Sequence, residues 1–249
     1  MAPISSPAVI LHAFPYGETS KIVRLLTREL GPQSALARGA RQARSRFGAR
    51  LQVFSEGVAQ LYVKSNRDLQ TVADFDVSVQ HEGLSRDVRR YAAAAACAEL
   101  VLRFGPAEPV PDLFDLTVQA LTSLEHEPAD RLDVVALGWL WALVASLGFA
   151  PRADACARDG HALPPGPVRF SVAEGGFLCR ACARGSGGTT LEPDDRAALE
   201  RLIEGDLAGL APLSPRHAEA HRRLVVRFVE RHVAEGRELK ALELWRELA

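Results

Sequence analysis

Three of the four cysteines fall together at spacings that could hold a metal: Cys156-Ala-Arg-Asp159-Gly160-His161, then Gly175-Gly176-Phe177-Leu178-Cys179-Arg-Ala-Cys182. A pair of Cys-x-x-Cys turns brings four thiolates to the corners of a tetrahedron, the usual arrangement of a structural zinc. Here the second position of the first turn is Asp159, which leaves three thiols and a carboxylate. His161, two residues on and a softer donor, is the other residue that could complete the set. The glycines suit the sharp reversal each turn needs. A ribbon of this shape can also fold without metal. A catalytic zinc would need an open coordination position and a nearby base, and Asp159, the one carboxylate within the two turns, would itself be a ligand, so the expected role is structural.

The second group is cationic. Between Lys21 and Arg50 stand eight basic residues (Lys21, Arg24, Arg28, Arg38, Arg41, Arg44, Arg46, Arg50) against a single acid, Glu29, a local charge of +7 in a chain whose net charge is -1. Screening removes fields beyond about 8 Å at physiological salt, so this local excess, and not the total, sets attraction to a phosphate backbone. Within it, Gly39-Ala-Arg-Gln-Ala-Arg-Ser-Arg-Phe-Gly-Ala-Arg50 alternates guanidinium forks with small residues and one aromatic. The forks suit phosphate oxygens, while Phe47 either stacks a base or anchors the loop in the core. Arg24 and Arg28 can share one face of a strand; Lys21 cannot join both.

Other candidates read more plainly. Cys97 in an alanine-rich run suits a small core residue, and Trp139 and Trp141 suit a core or interface helix. His217 and His221 lack the glutamate of a zinc-protease helix and suit a solvated face. Arg223, Arg227 and Arg231 form one basic stripe, either solvated or a second nucleic-acid surface. There is no phosphate-binding loop, no Gly-x-Ser-x-Gly elbow and no dinucleotide-binding glycine pattern, so the chain is not expected to be an enzyme.

The elements that must position these residues change character along the chain. Five β-rich runs (8–14, 21–27, 33–40, 52–64 and 69–80), broken at Pro15-Tyr16-Gly17, Leu30-Gly31-Pro32 and Ser65-Asn66-Arg67-Asp68, suit a small Greek-key barrel of the OB type, with an SH3-like barrel reading much the same. Helices are expected at 86–104 with Ser85 as N-cap, at 111–124, at 130–147 ending before Gly148, at 193–207, at 215–234 with Ser214 as N-cap, and at 239–248. Arg184 to Thr190 suits a flexible loop. The division is an OB-fold domain over 1–82, a helical bundle domain in two parts over 83–150 and 191–249, and a zinc-ribbon-like insert over 151–190, an α+β multi-domain chain. At 249 residues, with 47% hydrophobic and 24% charged content, it suits a globular protein of the cytoplasm with no membrane segment.

Several segments together resemble the bacterial RecO family. They are Ala8 to Val23 as its first hairpin, Leu36-Ala-Arg-Gly-Ala-Arg41 with Ser45-Arg-Phe-Gly48 as its basic segment, and Leu51-Gln-Val-Phe54 as its next strand. Tyr91 with Glu99-Leu100 is similar to its first helix, and Leu147-Gly-Phe-Ala-Pro151 to the approach to its zinc motif. The likeness covers residues 8–182; beyond, the chain is similar only as a helical tail. Asp159 departs from the cysteine of zinc-bearing members. The resemblance implies a recombination mediator of the RecF pathway that makes and breaks no bond. It implies binding to single- and double-stranded DNA, to RecR and to the acidic tail of single-strand-binding protein, with RecA engaged indirectly, and a nucleoid-associated location. The DNA contacts it implies are Arg24, Arg38, Arg41, Arg44, Arg46 and Arg50; the metal ligands are Cys156, Asp159, Cys179 and Cys182, with His161 as the alternative fourth. Two rival readings are a zinc-ribbon and OB protein acting on RNA and a metal-dependent nuclease.

Overall fold

The computed structural model describes residues 2–248. The chain divides into two compact units, one ending at His126 and the other beginning at Glu127. The first opens with five strands, β1 (Ile4–Tyr16), β2 (Ser20–Thr27), β3 (Gly31–Ala37), β4 (Ser55–Tyr62) and β5 (Leu69–Gln80). They close a barrel in the order β1-β2-β3-β5-β4, with β3 and β5 parallel and β4 returning to β1, the OB arrangement and not the SH3-like one. Along β1 to β4, residues two apart fill the interior: Ala8 and Ile10, Val23 and Leu25, Ala35 and Ala37, Ala59 and Leu61; on β5, Val72 and Phe75 do so across the register shift opposite Gln60 and Leu61. Where β4 and β5 slip register beside Gly57, a Cβ would come within 2.0 Å of the Asp76 carbonyl, so only glycine fits that closure.

The fourth strand begins later than its β-rich run suggests. Gln52 to Phe54 belong to the preceding loop, because Phe54 adopts φ 68 and its N–H reaches the Ile10 carbonyl, turning the ring against Tyr91. Three helices complete this unit: α1 (Glu82–Arg86), α2 (Val88–Phe104) and α3 (Pro111–His126). Ser85 is not an N-cap. It lies inside α1, and Asp87 breaks the chain in an extended conformation and caps α2 by accepting from the N–H groups of Arg89 and Arg90 at 2.8 and 3.2 Å. Helix α2 packs on β1 and β2, which is why Val9, Leu11 and Leu26 are buried although they alternate with the barrel interior.

His81, between β5 and α1, clasps this unit together. Its side chain is only 1% exposed, with Nε2 2.6 Å from Glu56 on β4 and Nδ1 2.5 Å from Glu125 on α3. Glu125 also accepts the Gly83 N–H at 2.8 Å. Burial alone would push the imidazole down, but the two carboxylates outweigh it and hold it above its ordinary 6.5. Burial pushes Glu125 up, and its bonds from His81 and Gly83 more than reverse this, holding it below 4.5. The raised imidazole stabilises the fold fully below pH 6.5 and stops doing so as pH rises through its folded value; the depressed carboxylate contributes above pH 4.5 and loses its contribution in acid. In urea titrations, wild type should lose more stability between roughly pH 6 and pH 9 than His81→Gln does. Equal losses in both would place the pH dependence elsewhere.

The second unit holds a short 3-10 turn (Ala129–Arg131), α4 (Leu132–Ser146), α5 (Pro193–Glu204), α6 (Pro215–Phe228), a wide π-type turn (Val229–Val233) and α7 (Lys240–Leu248). Helix α4 ends as its sequence suggests, with Gly148 at φ 86. It is apolar nearly all round and buried, and Trp141 meets Phe228 of α6 edge to face at 5.1 Å. His221 is buried and not on a solvated face: α6 turns it inward, and burial lowers its pKa. Between α4 and α5 lies a three-stranded sheet, β6 (Val168–Ser171), β7 (Gly176–Leu178) and β8 (Thr189–Leu191), in the order β7-β6-β8. The stretch expected to be a flexible loop is therefore partly strand, since Thr189 and Thr190 pair with Phe170 and Arg169. No helix among the described residues is long and apolar enough to cross a membrane.

Candidate nucleic-acid interface and metal centre

The arginine-rich segment is the long connection from β3 to β4, folded as successive tight turns that close hydrogen bonds such as Gln42 N–H to Gly39 and Gly48 N–H to Ser45. Ala40, Phe47 and Leu51 point inward and join the barrel core. Phe47 is fully buried, which decides against base stacking at this residue and makes it the loop's anchor. With the apolar residues turned in, Arg38, Arg41, Arg44 and Arg46 are turned out, and all four are exposed. The Arg46 guanidinium lies over the outer face of the Phe47 ring at 4.9 Å. Arg41 donates to the Gly17 carbonyl at 3.1 Å, tying the loop to the β1–β2 turn. Arg38 and Arg44 make no hydrogen bond or ion pair among the described residues, so their forks face solvent.

Arg50 and Arg24 are placed differently. Arg50 donates to the carbonyls of Phe75 at 3.0 Å and Phe47 at 3.4 Å, and to that of Arg46, and it lies 3.2 Å from Asp74. Much of its fork is thus engaged in holding the loop. Arg24 sits on the outer face of β2, opposite Ser34, and donates to the Leu102 carbonyl of α2 at 3.0 Å. It lines a separate hollow of about 510 Å³ together with Lys64 and Arg67 of the β4–β5 turn. Arg28, just beyond the end of β2, is paired with Asp115 and lies 6.0 Å over Phe114, both on α3. The structure therefore gathers Arg38 to Arg50 at the barrel end and sets Arg24 apart, with two cations that the sequence reading passed over. Lys64 and Arg67 lie in a segment read only as a turn, although the β4–β5 loop of an OB barrel is a ligand-binding loop. Gln70 holds that turn rigid through Lys64 N–H at 2.8 Å and the Lys64 and Arg67 carbonyls.

In the second unit, one ligand atom from each of Cys156, Asp159, Cys179 and Cys182 lies within 4.8 Å of all the others. The first turn is set by Cys156 N–H to His161 and Gly160 N–H to Cys156, the second by Ala183 N–H to Cys179. Ala157 N–H to Phe177 at 2.7 Å joins the first turn to β7, and thereby to the second. Asp159 accepts from Cys182 at 3.1 Å and from Cys179 at 3.5 Å. The Cys182 contact, followed by the His161 N–H, holds its carboxyl below the usual carboxylate range, while the same carboxylate pushes the Cys182 thiol up to about 12. His161 is largely exposed and reaches only the outer oxygen of Asp159, at 3.4 Å, so the clustered set is three sulfurs and Asp159. Arg158 spans the two turns, donating to the Cys182 carbonyl at 3.0 Å and to Glu174 and Ser186. A tetrahedral zinc with sulfur at about 2.3 Å separates its ligands by about 3.8 Å, so small movements would close these atoms around an ion. All four positions would then be filled by protein, which suits a structural ion.

The chain matches the family described as "Recombination protein O N terminal" over residues 1–79 and "Recombination protein O C terminal" over residues 85–243. The chain belongs to the RecO family. RecO proteins are DNA repair and recombination proteins, non-enzymatic mediators. "DNA repair protein RecO" of Anaeromyxobacter sp. (strain K) is 40% identical over 237 residues, covering 94% of this chain and 92% of its own. The protein of the same name from Nocardioides sp. (strain ATCC BAA-499 / JS614) is 34% identical over 235 residues, covering 92% and 94%. That of Rubrobacter xylanophilus is 32% identical over 236 residues, covering 94% and 92%. The RecO likeness extends well beyond residue 182 into the C-terminal helices, which corrects the expectation that the tail is similar only in being helical.

Of the remaining candidates, Cys97 is a core residue whose burial pushes its thiol up to about 12. Trp141 is buried in α4. Arg223, Arg227 and Arg231 are exposed along α6 and the wide turn, with Arg223 paired to Glu219.

Proposed function

We propose that this RecO chain binds single- and double-stranded DNA through the barrel-end arginines, anneals complementary strands, and with RecR promotes RecA loading onto DNA coated by single-strand-binding protein, whose acidic C-terminal tail it engages. The observation that supports this reading best is the β3–β4 loop: an apolar underside locked into the barrel and four exposed arginines above it. Two like-charged strands repel, and a surface that neutralises both lowers the barrier to pairing without breaking a bond. Arg38, Arg41, Arg44 and Arg46 are the main phosphate contacts in this reading, with Arg50 at the edge and Arg24 on a separate cationic patch. A zinc held by Cys156, Asp159, Cys179 and Cys182 would stiffen the insert and take no part in chemistry. The cytoplasm, in association with the nucleoid, is the location that goes with this function, and the four-part division at 82, 150 and 190 is the domain organisation it uses.

The test is annealing of complementary oligonucleotides, bare and coated with single-strand-binding protein, with no nucleotide added. Acceleration of both is expected, with intact strands recovered. Strand cleavage on addition of divalent ions would favour a nuclease instead, and a clear preference for RNA over DNA in the same assay would favour an RNA-binding factor.

A further inference from the structure

With Phe47 buried, the cationic end of the barrel needs another surface if it is to hold an unpaired base. The outer face of β4 and β5 offers one. A groove of about 340 Å³ opens there, lined by Arg46, Arg50, Gln60, Tyr62 and Asp74. Tyr62 and Gln60 are two apart on β4 and so point to the same side, and they pair across to Thr71 and Asp74 of β5. Tyr62 is 40% exposed and borders this groove, so its ring is accessible to a base.

We propose that this groove is a nucleotide subsite for single-stranded DNA, with one base stacked on Tyr62, its edge facing Gln60 and Asp74, and its phosphate held by Arg46 at the rim. The distribution of charge within the groove supports this orientation. Asp74 lies against Arg50 at 3.2 Å and accepts the Phe75 N–H at 2.9 Å, so the groove carries a carboxylate that disfavours phosphate and can accept from a base N–H such as the ring N–H of thymine. Arg46 is exposed at the edge, where a backbone phosphate would pass. The arrangement is pre-organised, since Arg50 is tied to the Phe47 and Phe75 carbonyls and Arg46 rests on the Phe47 ring. A duplex, whose bases are stacked internally, cannot use this subsite. Tyr16 is also exposed, at 52%, but stands at the β1–β2 hairpin tip and does not line the groove.

The subsite rests on the DNA-binding reading, and the experiment separates the two. Fluorescence anisotropy would compare an oligothymidylate with an abasic strand of equal length, which carries the same phosphates but no bases. Tyr62→Leu should weaken binding to oligothymidylate by about tenfold and to the abasic strand by less than about twofold, with Tyr62→Phe close to wild type and Tyr16→Leu without effect. The salt slope of Tyr62→Leu should match wild type, because no phosphate contact is removed. Independently of any substitution, photo-crosslinking of a 5-iododeoxyuridine strand to the wild-type protein should label the peptide containing Tyr62. Equal losses on both strands, no loss on either, an effect from Tyr16→Leu in place of Tyr62→Leu, or crosslinks confined to other peptides would overturn the subsite. Wild-type protein that binds neither strand would remove the DNA-binding reading itself.

Discussion

Replacing Arg41, Arg44 and Arg46 together by alanine should weaken binding to single-stranded DNA on the order of tenfold or more near 0.1 M salt, and flatten its salt dependence. Each neutralised phosphate on a single strand contributes a slope of about -0.7, so five contacts give roughly a 100-fold loss of affinity in wild type between about 50 and 200 mM salt. Removing three should reduce the slope by about 2. The loss should be nearly the same for any base sequence, because phosphate contacts position a strand without reading it. The fold should survive. The three side chains are exposed, the loop is anchored by Phe47 and Leu51 beneath them, and the one hydrogen bond lost to another element, Arg41 to Gly17, is itself exposed. The measurement is an anisotropy titration at several salt concentrations, with circular dichroism to confirm folding. An unchanged slope in a folded triple variant would move the DNA track elsewhere, to the Arg24, Lys64, Arg67 patch or to the Arg223, Arg227, Arg231 stripe.

These surfaces differ in how far they can be read from the chain itself. The β-rich runs 21–27 and 33–37 are bounded by turn residues, and so the barrel is legible even though apolar neighbours such as Leu25 and Leu26 break strict alternation. What these runs leave open is where a polar residue on the outer side ends up. Arg24 and the barrel-end arginines are close in sequence, yet α2 covers β2 and takes Arg24 as a hydrogen-bond donor to Leu102. Phe47 shows the same limit from the other direction. Its neighbours are arginines and small residues, compatible with an exposed stacking ring or with an anchor, and only the folding of the loop over the open barrel end decides between them. The base-stacking candidate that the structure offers instead, Tyr62, has no motif around it; it becomes visible only because β4 places it beside side chains from β5 and from the loop. His81 is less legible still, since its partners Glu56 and Glu125 are distant along the chain. The metal cluster lies at the opposite extreme. Its ligand spacing is local within each turn, and the short sheet brings the two turns together.

That cluster carries the other large expected effect. Protein purified without chelator should contain about one zinc per chain, and Cys179→Ser should lose both the ion and a substantial part of its thermal stability. Cys179 directly follows β7, and Phe177 on that strand meets Phe170 of β6 at 5.1 Å and 90°, while Phe170 in turn lies 6.2 Å from Phe228 of α6. The two metal-binding turns are therefore continuous with the packing of α6. An ion present at about a thousand times its dissociation constant adds about 4 kcal/mol to the folded state, which for a unit of this size shifts the melting temperature by on the order of ten degrees. Serine keeps the volume but not the thiolate, so the three remaining ligands would hold zinc far more weakly. Asp159 separates the metal explanation from a simple packing defect. Asp159→Cys supplies the fourth thiolate and should raise both zinc affinity and melting temperature, whereas Asp159→Ala should lower both; His161→Ala, outside the cluster, should change neither. Chelation of wild type should reproduce the Cys179→Ser melting temperature, and added zinc should restore the chelated wild type but not the variant. Protein that elemental analysis finds free of metal, with a melting temperature unmoved by Cys179→Ser, would mean that the turns are held by their backbone hydrogen bonds and by Arg158 alone, and that Asp159 accepts thiol protons in place of binding an ion.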